Sequence, residues 1–161
     1  MKVIAVDPRL KERPADVGEL WRMDRLHALL RLSDVVLTSC PYTADTRHLI
    51  NRERLSLMKP TAILVNIARG GIVDEVALAD ALWAGRIAGA GLDVTEIEPL
   101  PADSPLWEVP NLVISPHCAG VSSHRMRKLI EFFCENLRRY QAGQPMLNLV
   151  DQLKGYPVPS N

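Results

Sequence analysis

Apolar residues fall in short runs parted by polar, proline-bearing or glycine-bearing breaks, and the runs alternate between strand-like and helix-like spacing. Val3 to Val6 is a β-branched run stopped at Asp7-Pro8, which predicts a buried strand. Arg9 to Gly18 is polar and holds Pro14, so it predicts a loop. Met23 to Leu32 carries Leu26, Leu29 and Leu30 at helical spacing, and Ser33-Asp34 breaks it before a second strand, Val35 to Thr38. Asn51 is placed to cap a helix containing Leu55 and Met58, which Lys59-Pro60 ends. Ala62 to Ile67 predicts a third strand. Asp74 is placed to cap a helix with Leu78, Ala81 and Leu82, terminated by Gly85. Ile87 to Val94 and Leu112 to Ser115 predict the fourth and fifth strands. Ser122 or Ser123 then caps the longest helix, in which Met126, Leu129, Ile130, Phe133, Leu137 and Tyr140 step by three and four into one stripe. Gly143 closes it, and a proline-spaced tail runs to Asn161.

Strands apolar on both faces, alternating with helices, predict a parallel sheet covered on both sides. Ligands of such sheets bind at the carboxyl ends of the strands. Asp7, Cys40-Pro41, Asn66 to Arg69, Asp93 and His117 all stand at those ends.

Bulk composition narrows the function classes. A chain of 161 residues suits one domain with a sizeable core, and 47% apolar with 24% charged residues is globular composition. Nineteen basic against 19 acidic residues give no electrostatic capture of nucleic acid or an anionic membrane. No apolar run reaches the ~20 residues of a membrane helix. Three cysteines, Cys40, Cys118 and Cys134, without C-x-x-C spacing, point away from a disulfide framework or a zinc site. They fit a reducing cytoplasm, each as a small, half-buried apolar side chain.

Candidate chemistry lies at the strand ends. An acid in the place of Asp7 can accept both hydroxyls of an adenosine ribose or simply shape the turn before Pro8; Arg9 nearby could pair with a 2′-phosphate instead. Arg69 lies where a strand runs through Gly70-Gly71 into a helix, and a guanidinium there can grip a carboxylate with two parallel hydrogen bonds. His117 follows the last strand, and imidazole is suited to moving one proton near neutral pH. Glu98 and Glu96 are both placed to orient that ring, and spacing does not choose between them. Gly89-x-Gly91 sits inside a strand and cannot cradle phosphate; no G-x-G-x-x-G is present. His27, His48 and His124 read as solvated.

Four stretches, "SDVVLTSCPYTADTRHLIN", "LMKPTAILVNIARGGIVDEVALADAL", "GRIAGAGLDVTEIEPLP" and "NLVISPHCAGVS", closely resemble the D-isomer-specific 2-hydroxyacid dehydrogenase family in order and spacing. The resemblance implies that Arg69 binds the carboxylate and carbonyl of a 2-oxo acid. His117 would exchange a proton with the carbonyl oxygen as hydride moves from or to NAD. Glu98, directly before Pro99, matches the family's histidine partner, and a glutamate there separates the chain from the related formate dehydrogenases. Asp7, Cys40, Pro41, Thr46, Ile67, Ala68, Arg69, Asp93, His117 and Gly120 match positions lining the NAD cofactor. A homodimer is usual in the family.

The fold so implied is a partial Rossmann-type doubly wound parallel sheet lacking its first strand and glycine-rich loop, with a long C-terminal helix. Residues 1–121 form the shortened dinucleotide-binding domain, and 122–161 a helix and tail returning toward an absent substrate domain. In the family's 3-2-1-4-5-6 order the missing strand is central. Its loss is expected to part the strands at Val3 and Val35 from those at Ala62, Ile87 and Leu112. The pyrophosphate site goes with it, leaving a fragment inactive alone, and the last helix's stripe lacks some of its cover. An alternative is a non-catalytic binding or regulatory module derived from a dehydrogenase, like the family's corepressors.

Overall fold

A computed structural model describes residues 1–151 and 156–157. Along the chain run β1 (Ile4–Val6), β2 (Glu19–Trp21), α1 (Leu26–Leu32), β3 (Val35–Thr38), α2 (Arg52–Leu57), β4 (Ile63–Asn66) and α3 (Glu75–Trp83). These are followed by β5 (Gly89–Leu92), β6 (Leu112–Ile114), α4 (Arg125–Gln141), β7 (Val150–Asp151) and β8 (Tyr156–Pro157). The last two form a small antiparallel pair in the tail, whose residues 152–155 and 158–161 lie outside the described set.

The predicted helix signals act as chemistry requires. Asn51 accepts the Arg54 N–H at 3.0 Å, and Asp74 accepts the Ala77 N–H at 2.9 Å. Gly85, at φ 61, ends α3 in the left-handed region. Two boundaries differ. Met23 to Arg25 winds as a 3-10 turn ahead of α1. α4 begins after His124 with no side-chain cap, so neither Ser122 nor Ser123 caps it; the Ser122 carbonyl accepts the Arg125 N–H instead.

The sheet is divided, but not where the sequence placed the division. β3, β4, β5 and β6 form one parallel sheet in that order, with Thr38 opposite Asn66 and Asn66 opposite Leu92. β3 therefore belongs with the later strands. β1 pairs in parallel with β2, a strand in the gap between the predicted loop and helix, where hydropathy patterning assigns no element. Three mixed residues carry no period, and only the open edge of β1 makes them a strand. α1 contacts β1, and Ile4, Val6 and Trp21 lean on the main core, so the pair is held by packing rather than by ladder bonds.

Burial is also one-sided. Val36, Leu64, Ala90 and Leu92 turn toward the helices and join Leu30, Leu55, Leu78 and Leu82 in the core. The register puts Leu37, Val65, Gly91 and Val113 together on the other face, where Leu37 is 56% and Val113 71% exposed. The expected cover on both sides is thus found on one side among the described residues. α4 does not supply it: Met126, Leu129, Ile130, Phe133, Leu137 and Tyr140 are all exposed.

This asymmetry sets the expected cost of core changes. Leu64→Ala, at a fully buried strand centre, is expected to lower stability by about 2–5 kcal/mol, and Val113→Ala by about 0.5 kcal/mol or less. Urea unfolding followed by far-ultraviolet circular dichroism measures both, and equal costs would contradict a one-sided core.

Candidate active site

β4 delivers the first group. Asn66 at its end is fully buried, where an unpaired amide would be costly. Its Oδ1 accepts from the Thr38 hydroxyl at 2.8 Å and the Ala68 N–H at 3.1 Å, and its Nδ2 donates to the Arg69 carbonyl at 2.9 Å. That network fixes the strand-to-turn geometry from which Arg69 projects. The Arg69 guanidinium donates to the Ala68 carbonyl at 2.6 Å. Gly70 then passes so close to the next loop that an added Cβ would overlap the Thr95 carbonyl and the Glu96 nitrogen. The glycine is required by close approach, and its φ is ordinary.

β5 and β6 deliver the second and third groups. The Asp93 carboxylate, buried past the end of β5, accepts from the Ser115 hydroxyl at 2.6 Å and the Cys118 N–H at 2.8 Å on Oδ1, and from the Ala119 N–H at 2.8 Å on Oδ2. Its own carbonyl accepts the His117 N–H at 2.8 Å. These bonds hold His117 at φ 52, a left-handed conformation that a residue bearing a Cβ adopts at a cost. The held ring puts Nδ1 2.8 Å from Glu98 Oε2, while Glu98 Oε1 accepts the Thr95 N–H at 3.1 Å. Geometry thus selects Glu98 over Glu96 as the partner of His117. With Nδ1 facing the carboxylate, Nε2 is the ring atom left to exchange a proton.

Arg69 and Glu98 line one cleft of about 1000 Å³ with Cys40, Pro41, Ile67 and Ala68. His117 lines a smaller cavity of about 340 Å³, with Glu98 and Thr95 on the wall common to both. Several of the other expected residues act locally. Thr46 accepts the Thr43 N–H at 2.7 Å and donates to the Pro41 carbonyl at 2.7 Å, shaping the turn. Asp7 Oδ1 accepts the Arg9 and Leu10 N–H groups at 2.7 and 3.1 Å, which is the turn-forming role. Gly120 is exposed, on the loop after His117. Cys40 and Cys134 are half-buried as expected, and burial pushes the Cys40 thiol up, but Cys118 is exposed. His48 is not simply solvated, for its Nε2 lies 2.9 Å from Glu96 Oε1. No group of His, Cys, Asp and Glu among the described residues is arranged to hold a metal, and no described helix is long and apolar enough to cross a membrane.

Two carboxylates of the site are held below their ordinary range. The His117 hydrogen bond lowers Glu98, against a smaller upward push from burial, with the Thr95 N–H adding to the lowering. Asp93 is lowered from 3.8 to about 2, first by the Ser115 hydroxyl, with burial opposing and the Ala119 and Cys118 N–H groups adding. The backbone N–H groups that reach these two acids come from the folded loops, and sequence spacing could not foresee them.

Comparison with known proteins agrees with this geometry. Residues 1–119 match the D-isomer specific 2-hydroxyacid dehydrogenase, NAD binding domain, and the chain belongs to that family. A glyoxylate reductase of Korarchaeum cryptofilum is 47% identical over 127 residues, which cover 79% of this chain and 38% of that protein. A D-isomer specific 2-hydroxyacid dehydrogenase from Xanthobacter autotrophicus Py2, solved with NADPH and MES, superposes with TM-score 0.86 at 40% identity, over 96% of this chain and 63% of that one. An NADPH-dependent glyoxylate/hydroxypyruvate reductase from Sinorhizobium meliloti, solved with NADP and sulfate, superposes with TM-score 0.85 at 31% identity, over 96% of this chain and 49% of that one. The chain thus spans between 38% and 63% of the length of these three proteins.

The lowered Asp93 sets an acid limb of stability. A folded value below the unfolded one stabilises the fold above about pH 4, and that contribution is lost as pH falls through about 2. Asp93→Asn is expected to unfold at lower urea concentration at pH 7 and to lose less of its remaining stability between pH 4 and 2 than the parent. Urea midpoints across that range measure it; parallel curves for the two proteins would contradict it.

Proposed function

We propose that this chain is the catalytic half of the dinucleotide domain of an NAD-dependent D-2-hydroxyacid dehydrogenase. The observation that carries the reading is the His117–Glu98 pair beside Arg69, at the carboxyl ends of β4, β5 and β6 in a chain of this family. Arg69 grips the carboxylate of a small 2-oxo acid and orients its carbonyl. Glu98 accepts a hydrogen bond from His117 Nδ1–H, which fixes the tautomer and steadies positive charge on the ring. His117 Nε2 gives its proton to the carbonyl oxygen and, in the opposite direction, takes it from the hydroxyl. A reduced nicotinamide, when bound, would supply the hydride for the carbonyl carbon. Cys40, Pro41, Ile67 and Ala68 from one cleft and Asp93 from the adjoining cavity, with Thr46 and Gly120 on the neighbouring loops, are the residues that would hold the cofactor.

The donor set fits the reactive end of the cofactor: one proton carrier, its carboxylate and one carboxylate-binding cation around a strand-end cleft. For the phosphate end the 161 residues contain no G-x-G-x-x-G turn. Asp7 favours NAD, as its charge would repel a 2′-phosphate. Residues 1–121 act as the cofactor domain and 122–161 as the return toward a substrate domain. The reading extends to a homodimer in the cytoplasm, and to glyoxylate-like substrates, the last in line with the names of its relatives.

The test is turnover. The 161-residue chain alone is expected to show none. A chimera supplying the substrate domain, first strand and glycine loop of a glyoxylate reductase should oxidise NADH in the presence of glyoxylate or hydroxypyruvate. In that chimera His117→Gln is expected to reduce kcat by about 10²–10⁴. An unchanged kcat would remove His117 from the chemistry.

A further inference from the structure

A second histidine–carboxylate pair stands on the other side of the short loop that carries Glu98. His48 Nε2 meets Glu96 Oε1 at 2.9 Å, with the side chains 35% and 39% exposed. His48 is itself held at φ 48, its N–H donating to the Gly71 carbonyl at 2.7 Å, while Ile50 bridges to Val73. The segment around His48 therefore travels with the turn that bears Arg69. On the opposite side, the Glu96 N–H donates to Glu75 Oε1 at 2.6 Å, and Gly70 lies against the Thr95–Glu96 peptide. The contacts close a ring: Gly70 to Thr95–Glu96, Glu96 to His48, and His48 to Gly71. Arg69 leaves the ring at one point and Glu98 two residues from another.

Electrostatics make the side-chain link the critical one. Burial pushes the Glu75 carboxyl up and the Glu96 N–H pulls it down, while the Glu96 and Glu98 charges raise it and His48, the smallest influence, lowers it. Three carboxylates therefore crowd this loop, and the histidine contacts one of them directly. Without it, the Glu96 carboxylate loses its described side-chain partner, and the 95–98 segment loses one of its ties to the Arg69 turn.

We propose that His48 and Glu96 are positioning residues, whose hydrogen bond locks the 95–98 loop to the Arg69 turn and so fixes where Glu98 holds His117. The inference rests on the dehydrogenase reading, in which the spacing of Arg69 from the His117–Glu98 pair decides whether carboxylate grip and proton transfer occur on one substrate. Neither residue needs to touch the substrate to do this.

The test reads the His117 ring and needs no turnover. Long-range ¹H–¹⁵N correlation of the 161-residue chain, recorded above the imidazole titration, distinguishes the Nδ1–H from the Nε2–H tautomer. In the parent chain Glu98 is expected to hold His117 as Nδ1–H. His48→Ala is expected to lower the Nδ1–H to Nε2–H ratio about fivefold, the size of one partly exposed hydrogen bond. Glu96→Ala should do the same, and the double variant no more than either. His48→Gln removes the same ring but keeps a donor, and should restore most of the ratio. Methyl shifts of Leu64 and Leu92 verify that each variant is folded. A parent ratio retained in both folded alanine variants overturns the inference, as does a His48→Gln variant no better than His48→Ala. A parent chain without the Nδ1–H form overturns the His117–Glu98 reading itself, and the inference with it.

Discussion

The arrangement depends first on the Asp93 carboxylate. One buried acid takes a hydroxyl and two backbone N–H groups from the loop after β6, and its carbonyl takes a third N–H, that of His117. An ionised carboxylate is tolerable out of water only when its lone pairs are filled in this way. The loop cannot relax without leaving that charge unpaired. The left-handed turn at His117 persists because Asp93 outweighs its cost.

A second buried polar residue has the matching role on the neighbouring strand. Asn66 joins Thr38 on β3, the Ala68 N–H and the Arg69 carbonyl, and its own carbonyl accepts the Asp93 N–H. The two strand ends are thereby coupled through backbone, and Gly70 brings the Arg69 turn into contact with the loop leading to Glu98. Chemical groups on irregular segments gain the precision of the sheet because each segment is tied to a strand end by hydrogen bonds that have no alternative partner.

The rest of the molecule is less complete than this edge. One face of the main sheet is open, β1 and β2 are separate from it, and α4 presents Met126, Phe133 and Tyr140 to solvent. Apolar surface of that extent is more than a packed domain ordinarily leaves to solvent. The site edge needs no such cover to hold its shape, since its fixing bonds all lie within residues 38 to 119.

The order of the main-sheet strands and the helices, the Asn51 and Asp74 caps, the Gly85 terminator and the contact of Glu98 with His117 were legible in the sequence. Each rests on local chemistry: period, a short side chain reaching its own backbone, a glycine past a helix end, or a long motif in order. The side of the sheet to which Val35–Thr38 belongs, the short strand at Glu19–Trp21 and the uncapped start of α4 were not, because pairing and capping there depend on neighbours far along the chain. The same holds for Glu96. Spacing made it a rival to Glu98, and only the approach of His48, 48 residues away, gave it a different partner. Local sequence determined which groups are present and at which strand ends. Tertiary structure alone decided which of them meet, because a hydrogen bond between distant segments is set by how the sheet brings their backbones together.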